Sequence, residues 1–425
     1  MMDGSPSVIQ VEVSSLCNLN CFMCQRRTWN PSEEGVMGFS LFKRLRDAVR
    51  EADKVVLYGL GEPLMNPDIV KMAEFVKRES EADLTLTTNG TLLTRGLAGK
   101  LVSAGVTSIY VSLDSLNEEK LRKIRYGIDS RAVLENLRYL AGKFSSDVEV
   151  GVEYVVMRGN LDELPSFVAD VAEMGVEHVL VSHVVPYSEE AARQAAYTTI
   201  SEEGINAGRN LFGKGWEVIL EAAQSLLSMV YAGVPIKSDK AELLMDAWRK
   251  AREMNAEINA PLILSGEVDV NILEKVKRVF GEASKVASQY GLKLTLPPAV
   301  FSVNARKCPY VEKNATTIRW DGGVAPCQEY LHEHRCYVNK HYKKVIRCSF
   351  GNIKERSLEE IWNEEEYVEF RERTKNIVES TPWCGDCPYS TMDCWFTRSN
   401  ELDCYGNTPS CSECIYSTGL AKCNI

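Results

Sequence analysis

The stretch VIQVEVSSLCNLNCFMCQRR, residues 8–27, governs how the rest of the chain is read. VIQVEV (8–13) is a β-strand pattern, and straight after it Cys17, Cys21 and Cys24 follow with the spacing C-x3-C-x2-C. Three thiolates so close together can wrap one soft metal centre, and the chain has only 5 histidines to offer a mixed zinc site. A [4Fe–4S] cluster normally takes four cysteines. No cysteine occurs between Gln25 and Lys307, so one iron of such a cluster would keep an open coordination site. An open iron is a catalytic arrangement, because something other than protein must bind there. The structural alternative is a zinc knuckle completed by a distant cysteine.

Outward from this loop, strand and helix patterns alternate. KVVLYGL (54–60), DLTLTTNG (83–90), SIYVSLD (108–114), VEVGVEYVVM (148–157) and VEHVLVSHVV (176–185) read as strands. Helical patterns lie between them, including FSLFKRLRDAVREA (39–52), TRGLAGKLVSAG (94–105) and 162–174. Six strands alternating with helices predict a parallel sheet with helices outside it. Six units fall short of an eight-stranded barrel, so the expected α/β fold is a partial (β/α)6 TIM-like barrel. Its reactive loops are expected at the C-terminal ends of the strands. The domain reading is a barrel over 1–187, a mainly helical insertion and bridge over 188–299, and a cysteine-rich domain over 300–425. The middle segment, including ILEKVKRVFGEASKVASQYG (272–291) and the strand or bridge LKLTLPP (292–298), carries no chemical motif.

Composition narrows the class. The 425 residues carry 49 Lys+Arg against 59 Asp+Glu, a formal charge of −10, which argues against a nucleic-acid binder. No apolar run approaches the length needed to span a bilayer, and MMDGSPSVIQ lacks a signal-peptide core. The expected location is cytoplasmic and reducing, where the 14 cysteines point to metal or redox chemistry before disulfides.

The motif C-x3-C-x2-C after a first strand resembles that of the radical S-adenosylmethionine (radical SAM) enzymes. The resemblance implies that Cys17, Cys21 and Cys24 hold a [4Fe–4S] cluster whose free iron chelates SAM. Reductive cleavage would then yield a 5′-deoxyadenosyl radical that abstracts hydrogen from a substrate. Met23 stands where the family usually has an aromatic residue. GLGEP, Gly59 to Pro63, resembles the family's Gly-Gly-Glu-Pro segment at the SAM amino group, with Leu60 in place of a glycine. Glycines such as Gly59 and Gly61 let backbone approach a ligand, and Glu62 can accept from an ammonium. Asn89 in TTNG, and Ser112 and Asp114 in VSLD, resemble the ribose- and carboxylate-contacting positions. Arg125 could pair with the SAM carboxylate. Asn160 is a further candidate, with a helix cap as its alternative. His183, at the end of strand six, reads first as a hydrogen-bonded core histidine.

The other eleven cysteines fall between Cys308 and Cys423. TIRWDGGVAP reads as a hairpin with an Asp-Gly turn that brings Cys308 and Cys327 together. Then come Cys384-x2-Cys387-x6-Cys394, Cys404, and Cys411-x2-Cys414-x8-Cys423; by spacing alone zinc remains open. The pattern resembles the SPASM extension of radical SAM enzymes, which implies two auxiliary [4Fe–4S] clusters, although x6 replaces the usual x5. Cys384, Cys387 and Cys394 are expected to share one centre, and Cys308 and Cys327 to belong to the other. Spacing does not say which of Cys404, Cys411, Cys414 and Cys423 completes each. Cys336 and Cys348 read as ordinary thiols.

The tail NELDCYGNTPSCSECIYSTGLAKC, with FGNIKERSLEEIW before it, is similar to radical SAM proteins associated with tungsten-containing aldehyde:ferredoxin oxidoreductases. That likeness implies maturation of the oxidoreductase or its tungstopterin, with reduced ferredoxin or a similar electron donor. A small peptide is the competing substrate, as for many SPASM enzymes. Outside enzymology, the alternatives are a multi-cluster electron carrier or a zinc-stapled interaction protein.

Overall fold

Successive strand residues point to opposite faces, and the two faces of this sheet have opposite chemistry. Ile9, Val11, Val55, Leu57, Leu84, Leu86, Ile109, Val111, Val150, Val152, Val179 and Val181 all join one buried apolar cluster beneath the surrounding helices. The residues between them, such as Gln10, Thr85, Thr87, Ser112, Glu153 and Ser182, stay out of that cluster. The sheet therefore curls with an apolar outside and a polar lumen. The computed structural model describes residues 4–29, 33–234, 237–266 and 268–425.

The parallel strands are β1 (Val8–Val11), β2 (Lys54–Leu57), β3 (Asp83–Thr88), β4 (Ser108–Ser112), β5 (Glu149–Val156) and β6 (His178–His183). A seventh, β7 (Lys293–Thr295), continues the series in parallel beside β6. The helix Ile69–Glu79 shows how the crossovers are fastened: Ile69, Met72, Ala73, Phe75 and Val76 recur at helical spacing and are all buried. A fully buried side chain of that size contributes about 1.5–3 kcal/mol. The expected helix over 39–52 is broken, because Leu45, with ψ 3°, leaves the α-helical region between Phe39–Phe42 and Arg46–Glu51.

Residues 188–290 are mainly helical. The helix Val270–Tyr290 starts at Asp269, whose side chain accepts from Ile272 N–H, and stops at Gly291 with φ 67°. Its buried Val276, Val279 and Ala283 join the barrel core. Leu211, Leu244, Ile258 and Ile263 belong to a separate apolar cluster.

The cysteine-rich region is built into the barrel's own sheet. β8 (Ala315–Ile318) lies parallel to β1, with Val8 beside Ala315 and Val11 beside Ile318. β9 (Gly323–Ala325) returns antiparallel through Asp321-Gly322, and β12 (Gly351–Asn352) follows at the edge. The result is ten strands in the order β12-β9-β8-β1-β2-β3-β4-β5-β6-β7. β10 (His334–Val338) and β11 (His341–Val345) form a separate hairpin. Among the described residues no helix is long and apolar enough to cross a membrane.

Because β8 covers one edge of β1, cutting the chain at residue 300 would leave that edge unpaired. Such an edge invites pairing with other chains. Size-exclusion chromatography of the truncated protein is expected to show aggregates. A monodisperse, folded barrel would show that β8 is dispensable.

Candidate active site and cluster cavities

The cysteine loop leaves β1 and is fastened from two sides by backbone. On one side Asn20 N–H donates to Tyr126 O and Phe22 N–H to Ile124 O, both at 3.0 Å, which brings the residues around Arg125 against the loop. On the other side Glu62 N–H donates to Leu16 O at 2.7 Å. Gly61 permits that approach: a β-carbon there would fall 2.3 Å from Ser14 O. Gly59 is pressed equally hard against Glu12, with 2.4 Å between a β-carbon and Glu12 Cγ. These glycines therefore serve first the packing of chain against chain, which adds a second demand to the ligand approach expected of them.

Cys17, Cys21 and Cys24 then line one cavity of about 220 Å³ at the C-terminal ends of the strands, together with Gly59, Gly61, Glu62, Asn89, Ser112 and Arg125. Burial chiefly pushes the Cys21 thiol up to about 12, with Arg125 opposing the rise and Cys24, Asp114 and Cys17 adding to it. Leu19 N–H donates to Cys17 Sγ at 3.4 Å, and Asn89 Nδ2 lies 3.8 Å from the same sulfur. Asn89 is braced in turn by Asn18 Oδ1 at 2.9 Å. Glu62 is almost wholly buried and accepts from Leu64 N–H, Thr88 Oγ1 and Asn89 N–H at 3.0, 2.6 and 2.7 Å. Burial raises its pKa while those bonds oppose the rise.

Arg125 and Asp114 form a buried ion pair, Nε to Oδ2 at 2.7 Å, and Asp114 Oδ1 accepts from Val155 N–H at 2.9 Å. Arg125 therefore meets the cavity with one edge already committed. The remaining candidates sit elsewhere than the sequence implied. Asp114 is fully buried with both oxygens engaged, so it orients Arg125 and does not line the cavity. Asn160 is spent on Asp114 O, Val155 O and Met157 N–H, tying two loops together. Pro63 is buried at the start of the 3-10 turn Pro63–Met65, behind Glu62.

The cavity also has walls that sequence reading missed. Glu153 on β5 accepts from Thr87 Oγ1 at 3.0 Å, and burial raises its pKa. An acid in the middle of the apolar run EVGVEYVV was the available signal. Gln328, Tyr416 and Lys422 reach the same cavity from the cysteine-rich region, and no spacing announced them. His183 lines it too, with Nε2 on Pro298 O at 3.3 Å, and burial lowers its pKa to about 4.

Nine C-terminal cysteines fall into two groups. Cys308, Cys327, Cys411 and Cys414 line one cavity, joined by Cys336, which sequence reading had set aside. Cys384, Cys387, Cys394 and Cys404 line another of about 370 Å³. Cys423 lines neither, and its sulfur faces Gln328 Nε2 at 3.5 Å. Arg306, buried beside Cys414, Cys384 and Cys411, sets a positive charge near both groups.

Residues 11–171 match the radical SAM superfamily, and residues 308–388 match SPASM, an iron-sulfur cluster-binding domain. The "tungsten-containing aldehyde ferredoxin oxidoreductase cofactor-modifying protein" of Pyrococcus furiosus is 30% identical over 98% of this chain and 97% of its own. The chain belongs to the radical SAM/SPASM family. It is a radical SAM enzyme, with a [4Fe–4S] cluster and SAM as cofactors and auxiliary iron-sulfur clusters in its SPASM region. Streptococcus suis SuiB bound to S-adenosylmethionine shares the fold with a TM-score of 0.52 at 14% identity, over 86% of this chain and 68% of that one. SuiB bound to precursor peptide SuiA gives 0.53 at 12% identity, over 92% and 71%.

The radical SAM donor set fits these cofactors. All 14 cysteines are free thiols, and those of the first loop sit half-buried in one cavity with Arg125. Among the described residues no three metal-ligating side chains converge tightly enough for a single ion. A four-iron cluster, whose thiolates stand at separate corners, asks for wider spacing. Gly61→Ala should displace the cysteine loop while leaving the SPASM cavities alone. Iron per reconstituted chain is then expected to fall from about twelve to about eight, and an unchanged count would show that the loop tolerates the methyl.

Proposed function

We propose that Cys17, Cys21 and Cys24 ligate the catalytic cluster, and that Glu62, Asn89, Ser112 and Arg125 hold SAM beside it. The observation that carries this reading is their meeting in one cavity at the C-terminal ends of the strands. When bound, the cluster and SAM supply a 5′-deoxyadenosyl radical that takes a hydrogen atom from the substrate.

The chain's own part is to bind and orient. Arg125, its Nε fixed by Asp114, turns its remaining N–H groups to the SAM carboxylate. Glu62 accepts from the SAM ammonium with the capacity left after three protein donors. Gly59, Gly61 and Pro63 shape the turn behind it, and Asp114 and Asn160 act as positioning residues. Cys308, Cys327, Cys411 and Cys414 are assigned to one auxiliary cluster, and Cys384, Cys387, Cys394 and Cys404 to the other, which leaves Cys423 outside both. Reduced ferredoxin or a similar cytoplasmic donor supplies the electrons.

For the substrate we infer maturation of a tungsten-containing aldehyde ferredoxin oxidoreductase or of its cofactor. Likeness over nearly the whole of both chains supports it. A peptide substrate is the second reading, favoured by the fold shared with SuiB in its peptide complex. Co-expression separates the two: a tungsten oxidoreductase that is fully active without this protein would rule out maturation.

Two variants test the chemistry in anaerobically reconstituted protein. Cys21→Ala is expected to abolish 5′-deoxyadenosine formation from SAM and dithionite; product at the wild-type rate would sink the assignment. Arg125→Lys keeps the charge and loses the fork geometry, so KM for SAM should rise about tenfold. An unchanged KM would place the SAM carboxylate elsewhere.

A further inference from the structure

The parallel register that collects the active-site residues at one end of the barrel also collects polar residues at the other. Lys54 stands beside Asp83, Ser108 beside Glu149, and His178 beside Lys293, all at the starts of strands. They line a cavity of about 560 Å³, into which Lys307, Lys313 and Lys422 also face. Five lysines thus meet at one concavity in a chain of net charge −10.

The local carboxylates, Asp83 and Glu149, offset these charges only in part, two acids against five lysines. Glu149 accepts from Tyr110 OH at 3.0 Å and from Ser108 Oγ at 3.3 Å, on the wall where Tyr110 OH also meets His178 Nδ1 at 2.6 Å. His178 Nε2 is taken by Thr295 Oγ1 at 2.9 Å, and burial lowers its pKa to about 4, so it adds no charge near neutrality. Lys307 pairs loosely with Glu312 at 3.4 Å, and Lys313 donates to Ile425 O. Lys54, Lys293 and Lys422 have no ion-pair partner among the described residues, although Asp83 lies beside Lys54. The ammonium of Lys422 lies 3.7 Å from the β-carbon position of Gly419, over the turn that lines this cavity.

We propose that the base of the barrel is a binding site for a compact multivalent anion, held by Lys54, Lys293 and Lys422. Each ammonium is a point charge with three donors, suited to phosphate or clustered carboxylate oxygens. Repulsion among the lysines agrees with this geometry: burial first, then Lys313, lowers the pKa of Lys54 against the opposing pull of Asp83 and Glu149, and an anion in the cavity would relieve the push from Lys313 and Lys293. The site is separate from the SAM cavity, although Leu180, Tyr416 and Lys422 line both.

The test uses the full reconstituted chain, titrated calorimetrically with pyrophosphate and, in a parallel arm, with citrate. Saturable binding of one equivalent is expected. Pyrophosphate alone would identify a phosphate site, and binding of both a site that reads charge. The double variant Lys54→Gln/Lys293→Gln should weaken binding at least about tenfold. Its 5′-deoxyadenosine formation from SAM and dithionite should stay unchanged, which shows that the variant is folded. Absence of saturable binding in both arms, or equal affinity in the folded double variant, would overturn the site.

Discussion

The close approach of two backbones at Gly61 is the constraint on which the site depends. With no β-carbon at residue 61, the turn after β2 can press against Ser14 and Leu16 and donate the bond from Glu62 N–H to Leu16 O. That contact fixes the cysteine loop on one flank. It also delivers Glu62 to the end of β3, where Thr88 and Asn89 hold its carboxylate. Asn89 then reaches back to Cys17 and Asn18. Three strand ends are thereby locked into one polar network around the thiols. Networks of this kind hold their shape because each buried member is satisfied by another.

The second constraint joins the SPASM region to the barrel. β8 pairs along the whole of β1, and His332 Nε2 meets the buried Glu12 carboxylate at 2.8 Å just beyond that strand. Tyr310 OH donates to Gln10 Oε1 at 2.6 Å inside the lumen. These contacts bring Gln328, Tyr416 and Lys422 into the wall of the catalytic cavity. A cluster region attached this way is part of the cavity wall, and it cannot swing away without exposing the edge of β1.

Much of this was legible in the sequence because it is local. The three cysteines lie on one short loop, the strands announce themselves by apolar runs, and Gly59 to Glu62 are contiguous. The roles of Asp114 and Asn160 were not legible. Both occupy positions where a polar side chain can face either ligand or protein, and only the meeting of β4 and β5 turned them inward. The grouping of Cys411 and Cys414 with Cys308 and Cys327 was hidden for a similar reason. Spacing within a chain says nothing about which distant segment folds beside it.

By itself, then, the sequence determined an α/β barrel with an open three-cysteine centre and a second cysteine region of the SPASM type. Those properties rest on short-range periodicity and on ligands a few residues apart. The tertiary structure alone decided which C-terminal cysteines gather in two cavities, and that residues of the SPASM region line the cavity of Cys17, Cys21 and Cys24. It also decided that the strand starts gather lysines at the barrel base. The physical reason is register: parallel pairing aligns residues tens of positions apart, and no local pattern encodes that alignment.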